Sequence, residues 1–166
     1  MIAAAACLLS LLASGGSRAG AAKPPPLRYV LTFTLVDEVS VGALQYEVGY
    51  PRSGRFVGRG GEVACTSLLG EPVRATFNND DEVSRLRSAW YSPVGFAGPA
   101  DLAECVFESR AGGAPDPQDF HVVVKLISSL TVHEVDAFPR VTVTKVRAGG
   151  GEGDRVVGEV TEPSLG

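Results

Sequence analysis

The side chains able to do chemistry are few and lie far apart along the chain. The sequence has two histidines, His121 and His133, the residue type whose ordinary pKa falls near neutrality. His121 lies opposite the apolar positions of its segment, which predicts an exposed side chain. His133 has Glu134 and Asp136 beside it, a spacing that suits either a metal or proton-relay cluster or a solvated loop. Asn78, Asn79, Asp80, Asp81 and Glu82 crowd oxygen-bearing side chains onto one stretch. Such hard ligands suit calcium, the one cofactor these residues suggest. They lack the alternating spacing and glycine of an EF-hand loop, so a polar turn is the competing expectation.

Two further sets of residues point to binding rather than catalysis. Arg52, Arg55 and Arg59 form a local basic cluster in an acidic chain, able to meet an acidic partner or a glycan, or simply to line a solvated loop. Tyr91, Phe96 and Phe56 are the candidates for an exposed ring on which a ligand stacks, with core or loop packing as the alternative. Trp90 and Tyr91 are neighbours, so on a strand they point to opposite faces. No G-x-S-x-G elbow, H-E-x-x-H helix or phosphate-binding glycine loop occurs. Any two of the 19 acids could meet in space as the carboxylate pair of a glycoside hydrolase, which keeps an unusual hydrolase as an alternative to a non-enzyme.

Alternating apolar and polar residues define the elements that would position these groups. Leu27, Tyr29, Leu31, Phe33 and Leu35 alternate with Arg28, Val30, Thr32 and Thr34, and Leu44, Tyr46, Val48 and Tyr50 alternate with Gln45, Glu47 and Gly49. Both are half-buried strands. Pro51, Gly54, Gly58, Gly60 and Gly61 then break the chain around a short apolar insert, Phe56 and Val57. Further strands are expected over Glu62–Leu68, Val73–Phe77, Val83–Ser92, Leu102–Glu108, Phe120–Leu126 and Arg140–Val146. In Val83–Ser92, Val83, Leu86 and Trp90 also fit a helix behind an Asp80 N-cap. Pro93 and Gly95 should end that segment after one strand length, with Leu86, Ser88 and Trp90 on one face and Phe96–Pro99 as loop. Phe120–Leu126 reads as a central strand. The sum is an all-β antiparallel sandwich or jelly roll of about eight to nine strands.

Ile2–Ala13 is an apolar run too short to cross a bilayer, followed by small residues through Ala22. This predicts a secretory signal over residues 1–22, with Cys7 as a lipid-anchoring cysteine in an alternative reading. Residues 23–26 form a proline-rich linker, 27–147 the sandwich and 148–166 a flexible C-terminal tail. No later segment suits a membrane span, so a secreted, extracellular or periplasmic product is expected. Removing residues 1–22 takes away Arg18 alone among the charges, so a formal charge of −4 becomes 14 − 19 = −5. That balance argues against nucleic acid, whose phosphates are met by basic side chains. Cys65 and Cys105 remain, far apart and without neighbouring histidines, unlike a zinc motif. In an oxidising compartment they are expected to form a disulfide, with two buried thiols as the alternative.

Five stretches together span nearly all of the sandwich: VGALQYEVGYP (41–51), FVGRGGEVACT (56–66), FNNDDEVSRLRSAW (77–90), GFAGPADLAECVFE (95–108) and RVTVTKV (140–146). In order and spacing the chain resembles a cohesin-type module, a jelly-roll relative of the family 3 carbohydrate-binding domains. The resemblance implies a non-catalytic extracellular module that engages a protein partner or a polysaccharide. The cysteine pair is not a general feature of such modules.

Overall fold

A computed structural model describes residues 26–59, 62–110, 112–130, 138–149 and 156–159. Two antiparallel sheets pack face to face, as the alternation predicts. The larger is built from β1 (Leu27–Leu35), β3 (Gly54–Phe56), β6 (Cys65–Ser67), β9 (Ala100–Ser109), β11 (Val141–Gly149) and β12 (Val156–Glu159), in the order β12-β11-β1-β9-β3, with β6 also pairing with β9. The smaller holds β2 (Ser40–Gly49), β7 (Arg74–Asp80), β8 (Arg85–Ala97) and β10 (His121–Ser128) in the order β10-β2-β8-β7. A two-stranded ribbon of β4 (Gly58–Arg59) and β5 (Glu62–Val63) lies beside them. A 3₁₀ turn at Pro117–Asp119, capped by the Asp116 carboxylate, leads into β10.

The apolar positions of the two sheets meet in one core. Leu31, Phe33 and Leu35 from β1 and Leu44, Tyr46 and Val48 from β2 are fully buried, as are Leu86 and Trp90 from β8. A cluster of rings closes one end: Phe56 meets Tyr50, Phe107 and Phe120 at centroid distances of 5.1, 5.3 and 6.3 Å. Gly54 is required beside it, because a Cβ there would come within 2.2 Å of the Phe107 ring. Cys65 lies directly opposite Cys105 in the β6–β9 pair and the two form a disulfide, with Cα atoms 4.0 Å apart.

Several expectations shift for identifiable reasons. Asn78–Asp80 are not loop but the end of β7, paired with Arg85–Arg87; ladder pairing overrides the turn preference of these residues. Pro93 and Gly95 do not end β8. The strand bulges outward between Tyr91, paired with Ala43, and Phe96, paired with Val41, so the proline needs no ladder hydrogen bond. Ser92 closes the bulge, its hydroxyl bonding the Gly95 carbonyl at 3.1 Å, and Gly95 takes φ +79°. Glu62–Leu68 divides into β5 and β6, and the glycine-rich insert contributes β3 and β4. β10 is an edge strand, not a central one. The segment expected as a flexible tail contributes Val156–Glu159, which pairs with β11. Residues 1–25 lie outside the described residues, as do His133, Glu134 and Asp136. No helix among the described residues is long and apolar enough to cross a membrane.

Candidate functional site

Because side chains alternate along a strand, β10, β2, β8 and β7 turn one set inward and the other away from the core. The register of the three pairings sorts the outward set into four rows. Ser128, Ala43, Tyr91 and Arg74 make the first. Leu126, Gln45, Ala89 and Thr76 make the second. Val123, Glu47, Arg87 and Asn78 make the third, and His121, Gly49, Arg85 and Asp80 the fourth. Leu126 belongs to this face because a bulge between Val124 and Leu126 resets the alternation and leaves Lys125 without a partner in the ladder.

Ala89 is small, and larger side chains surround it. A hollow of about 450 Å³ forms over the middle of the sheet, lined among others by Gln45, Glu47, Thr76, Asn78, Arg87 and Lys125. Glu47 is the hub. Its carboxylate accepts from Arg87 Nε at 3.2 Å and lies 3.5 Å from Arg85 Nη1 and 3.6 Å from Lys125 Nζ. Three cations thus share one carboxylate, so these four side chains sum to 3 − 1 = +2 on a chain whose formal charge is −4, with Asp80 opposite Arg85 in the next row. At the corner, Tyr91 is 58% exposed while its neighbour Trp90 is 2% exposed, as their adjacency predicts.

Beneath this face lies a buried polar cluster. The Trp90 indole N–H donates to the Ser88 hydroxyl at 2.6 Å. The Tyr46 hydroxyl is enclosed beside them without a hydrogen bond of good geometry, and burial pushes its pKa up to about 12. Tyr50 behaves alike. Burial, helped by the Asp81 charge and opposed by the Asn79 contact, raises its pKa to about 12, with its hydroxyl 2.9 Å from Asn79 Oδ1 and 3.0 Å from Asp81 Oδ1.

The other sequence candidates fall into structural roles or onto a second rim. Phe56 is 2% exposed within the ring cluster, and Phe96 is half-buried against the core, so neither offers a free stacking face. Arg55 does not point freely to solvent; it holds the buried Glu108 carboxylate at 3.1 Å, with Arg28 at 3.7 Å on the other oxygen. Arg52 and Arg55 share a cleft of about 300 Å³ with Arg110, Asp81, Glu82 and Ser84. Arg59 lines a smaller hollow with Glu62, Asn79 and Asp81. In the acidic stretch, Asp80 Oδ1 faces the backbone N–H of Glu82 at 3.2 Å and of Val83 at 3.4 Å. Asp81 Oδ1 accepts from Asn79 Nδ2 as well as Tyr50. These oxygens shape a turn, and among the described residues no group of three His, Cys, Asp or Glu is placed to hold a metal. His121 is exposed at the end of the fourth row.

Sequence reasoning missed Gln45, Glu47, Thr76, Ala89, Arg87 and Lys125 as one surface. The β2 alternation named Gln45 and Glu47 as polar positions, but only strand register brings the six together. No family model, curated protein or solved structure matches the chain.

Proposed function

We propose that this chain is an exported, non-catalytic binding module that docks an extracellular protein or polysaccharide on the outer face of its four-stranded sheet, in the manner its resemblance to cohesin-type modules implies. The observation that carries the proposal is the open hollow over Ala89, lined by Glu47, Arg87 and Lys125, with Arg85 at its edge on Glu47 and the exposed Tyr91 further along the same face. The short apolar leader and the Cys65–Cys105 disulfide support export into an oxidising compartment. A binding role is favoured over hydrolysis because the hollow is lined by a single carboxylate, Glu47, already shared among three cations, and paired acids are what glycoside hydrolysis requires. Direct carbohydrate binding is the second form of the same proposal, favoured by the exposed Tyr91 ring.

Filling the hollow tests the docking surface. Immobilised protein should recover a partner from extracellular material or bind on a polysaccharide array, and Ala89→Trp should abolish that binding while leaving the circular dichroism spectrum and melting temperature intact. Equal binding by the filled variant, or no binding by the parent, overturns the proposal.

A further inference from the structure

Taking the outer face of the four-stranded sheet as the docking surface, we infer that its partner is a polysaccharide bearing carboxylates, a polyuronate chain. The inference rests on that docking proposal and adds the chemistry of the ligand. Arg87 gives Glu47 only its Nε contact, at 3.2 Å, which leaves its terminal nitrogens to present a fork to a second carboxylate. Arg85 and Lys125, at 3.5 and 3.6 Å, approach Glu47 at or beyond the limit of a hydrogen bond, so they too retain donors. Glu47 gathers the three side chains without satisfying them. A carboxylated ligand would complete the cluster, whereas a neutral one would leave it as it stands.

A glycan fits the remaining chemistry better than an acidic protein does. Beside the cations, Gln45, Thr76 and Asn78 ring the Ala89 floor with neutral donors and acceptors suited to hydroxyl groups. Tyr91 offers an exposed ring four residues from Arg87, ~13 Å along an extended strand, which gives room for an oligosaccharide. Protein partners that bind tightly bury aromatic or arginine anchors in enclosed pockets. This hollow is open, not enclosed, and charged and amide side chains share its lining with apolar surface.

Titration of the full chain with polygalacturonate, neutral dextran and poly-glutamate tests the inference. Polygalacturonate should bind, and dextran should bind at least ~10-fold more weakly, since charge-assisted contacts are the stronger ones. Raising the salt concentration should weaken the polygalacturonate complex. The double variant Arg87→Gln/Lys125→Gln, made at two side chains more than half exposed, should weaken it by roughly 10- to 100-fold. Tyr91→Ala should weaken it roughly 5-fold. Lys145→Gln, on the other sheet, should change nothing. Dextran binding equal to polygalacturonate, poly-glutamate binding as tight, or no polygalacturonate binding at all overturns the inference. Failure of the docking proposal is distinguishable: there Ala89→Trp keeps full capture of whatever the chain binds, whereas an error confined to ligand chemistry leaves Ala89→Trp inactive towards a different ligand.

Discussion

The two sheets bury the same kind of core and treat their outer faces differently. On the six-stranded sheet the three carboxylates of β9 each have cations of their own. Asp101 takes Lys145 at 3.1 Å and the Thr34 hydroxyl at 2.6 Å, Glu104 takes Arg147, and buried Glu108 takes Arg55 and Arg28. A disulfide then fastens β6 across β9. On the four-stranded sheet one carboxylate serves three cations, no crosslink is present among the described residues, and apolar side chains such as Tyr91, Val123 and Leu126 stand in solvent. Electrostatics that close on themselves stabilise a surface. Electrostatics left open keep donors to offer, which is what the proposed docking role requires.

The largest expected effect tests the closed side. Replacing both cysteines, Cys65→Ser with Cys105→Ser, releases a crosslink with a sequence separation of 40 and should lower unfolding free energy by up to about 4 kcal/mol. Denaturant titration checks this. The contrast between faces sharpens if the surviving folded fraction keeps its ligand affinity, and breaks if affinity falls in step with stability.

A smaller effect belongs to the interior beneath the open side. Tyr46 and Tyr50 both have folded pKa values raised to about 12, above the ordinary 10.0. The folded state therefore holds these protons longer than the unfolded chain. Stability should be complete below pH 10 and decline as the pH rises towards 12, by about 3 kcal/mol for fully buried Tyr46. Tyr46→Phe should flatten much of that decline. Because the hydroxyl makes no hydrogen bond of good geometry, the same change should cost little at pH 7, within about 1 kcal/mol. A denaturation midpoint that does not move between pH 9 and pH 12 contradicts the assignment.

These contrasts were only partly legible in the sequence. The rhythm of β1 and β2 and the inward Leu86, Ser88 and Trp90 are local facts, set by residue type and a period of two, while the Cys65–Cys105 pair was legible because only two cysteines lie beyond residue 22. The bulges are not. Nothing in Ser92–Gly95 announces that β8 resumes beyond Pro93, and nothing in Val124–Leu126 announces that Leu126 turns outward, because the neighbouring strand fixes both. Register is equally non-local, so the hollow over Ala89 could not be assembled from the chain. Aromatic residue type was a poor guide to exposure: Phe56 and Tyr91 look alike as candidates, yet one packs among four rings and the other faces solvent.

The arginine cluster carries the contrast within a few residues. Arg55→Ala removes the nearer cation from a carboxylate whose side chain is 8% exposed, leaving Arg28 at 3.7 Å. Loss of about 1 to 2 kcal/mol should follow, because an undercompensated buried charge is costly even when its partner lies near the surface. Arg52→Ala and Arg59→Ala, at exposed positions, should stay within about 0.5 kcal/mol of the parent. Similar losses at all three positions would mean that the cluster acts as one charged patch and not as one structural residue between two surface ones.

The smallest stability effect is expected where the binding effect should be largest. Arg87, Lys125 and Tyr91 are each more than half exposed, and both cations already share a single carboxylate. Removing either cation relieves repulsion among those that remain while losing one screened ion pair, and these changes nearly cancel. Arg87→Gln and Tyr91→Ala should therefore shift unfolding free energy by less than about 0.5 kcal/mol. Glu47→Gln should cost more, about 1 kcal/mol, since it leaves Arg85, Arg87 and Lys125 facing one another without a counter-charge. The order of these variants decides between two descriptions of the face. If Arg87→Gln proves as damaging as Glu47→Gln, the cluster is a structural ion network of the kind found on the opposite sheet. If Glu47→Gln alone destabilises, its carboxylate is the scaffold and the cations around it are held ready for something else.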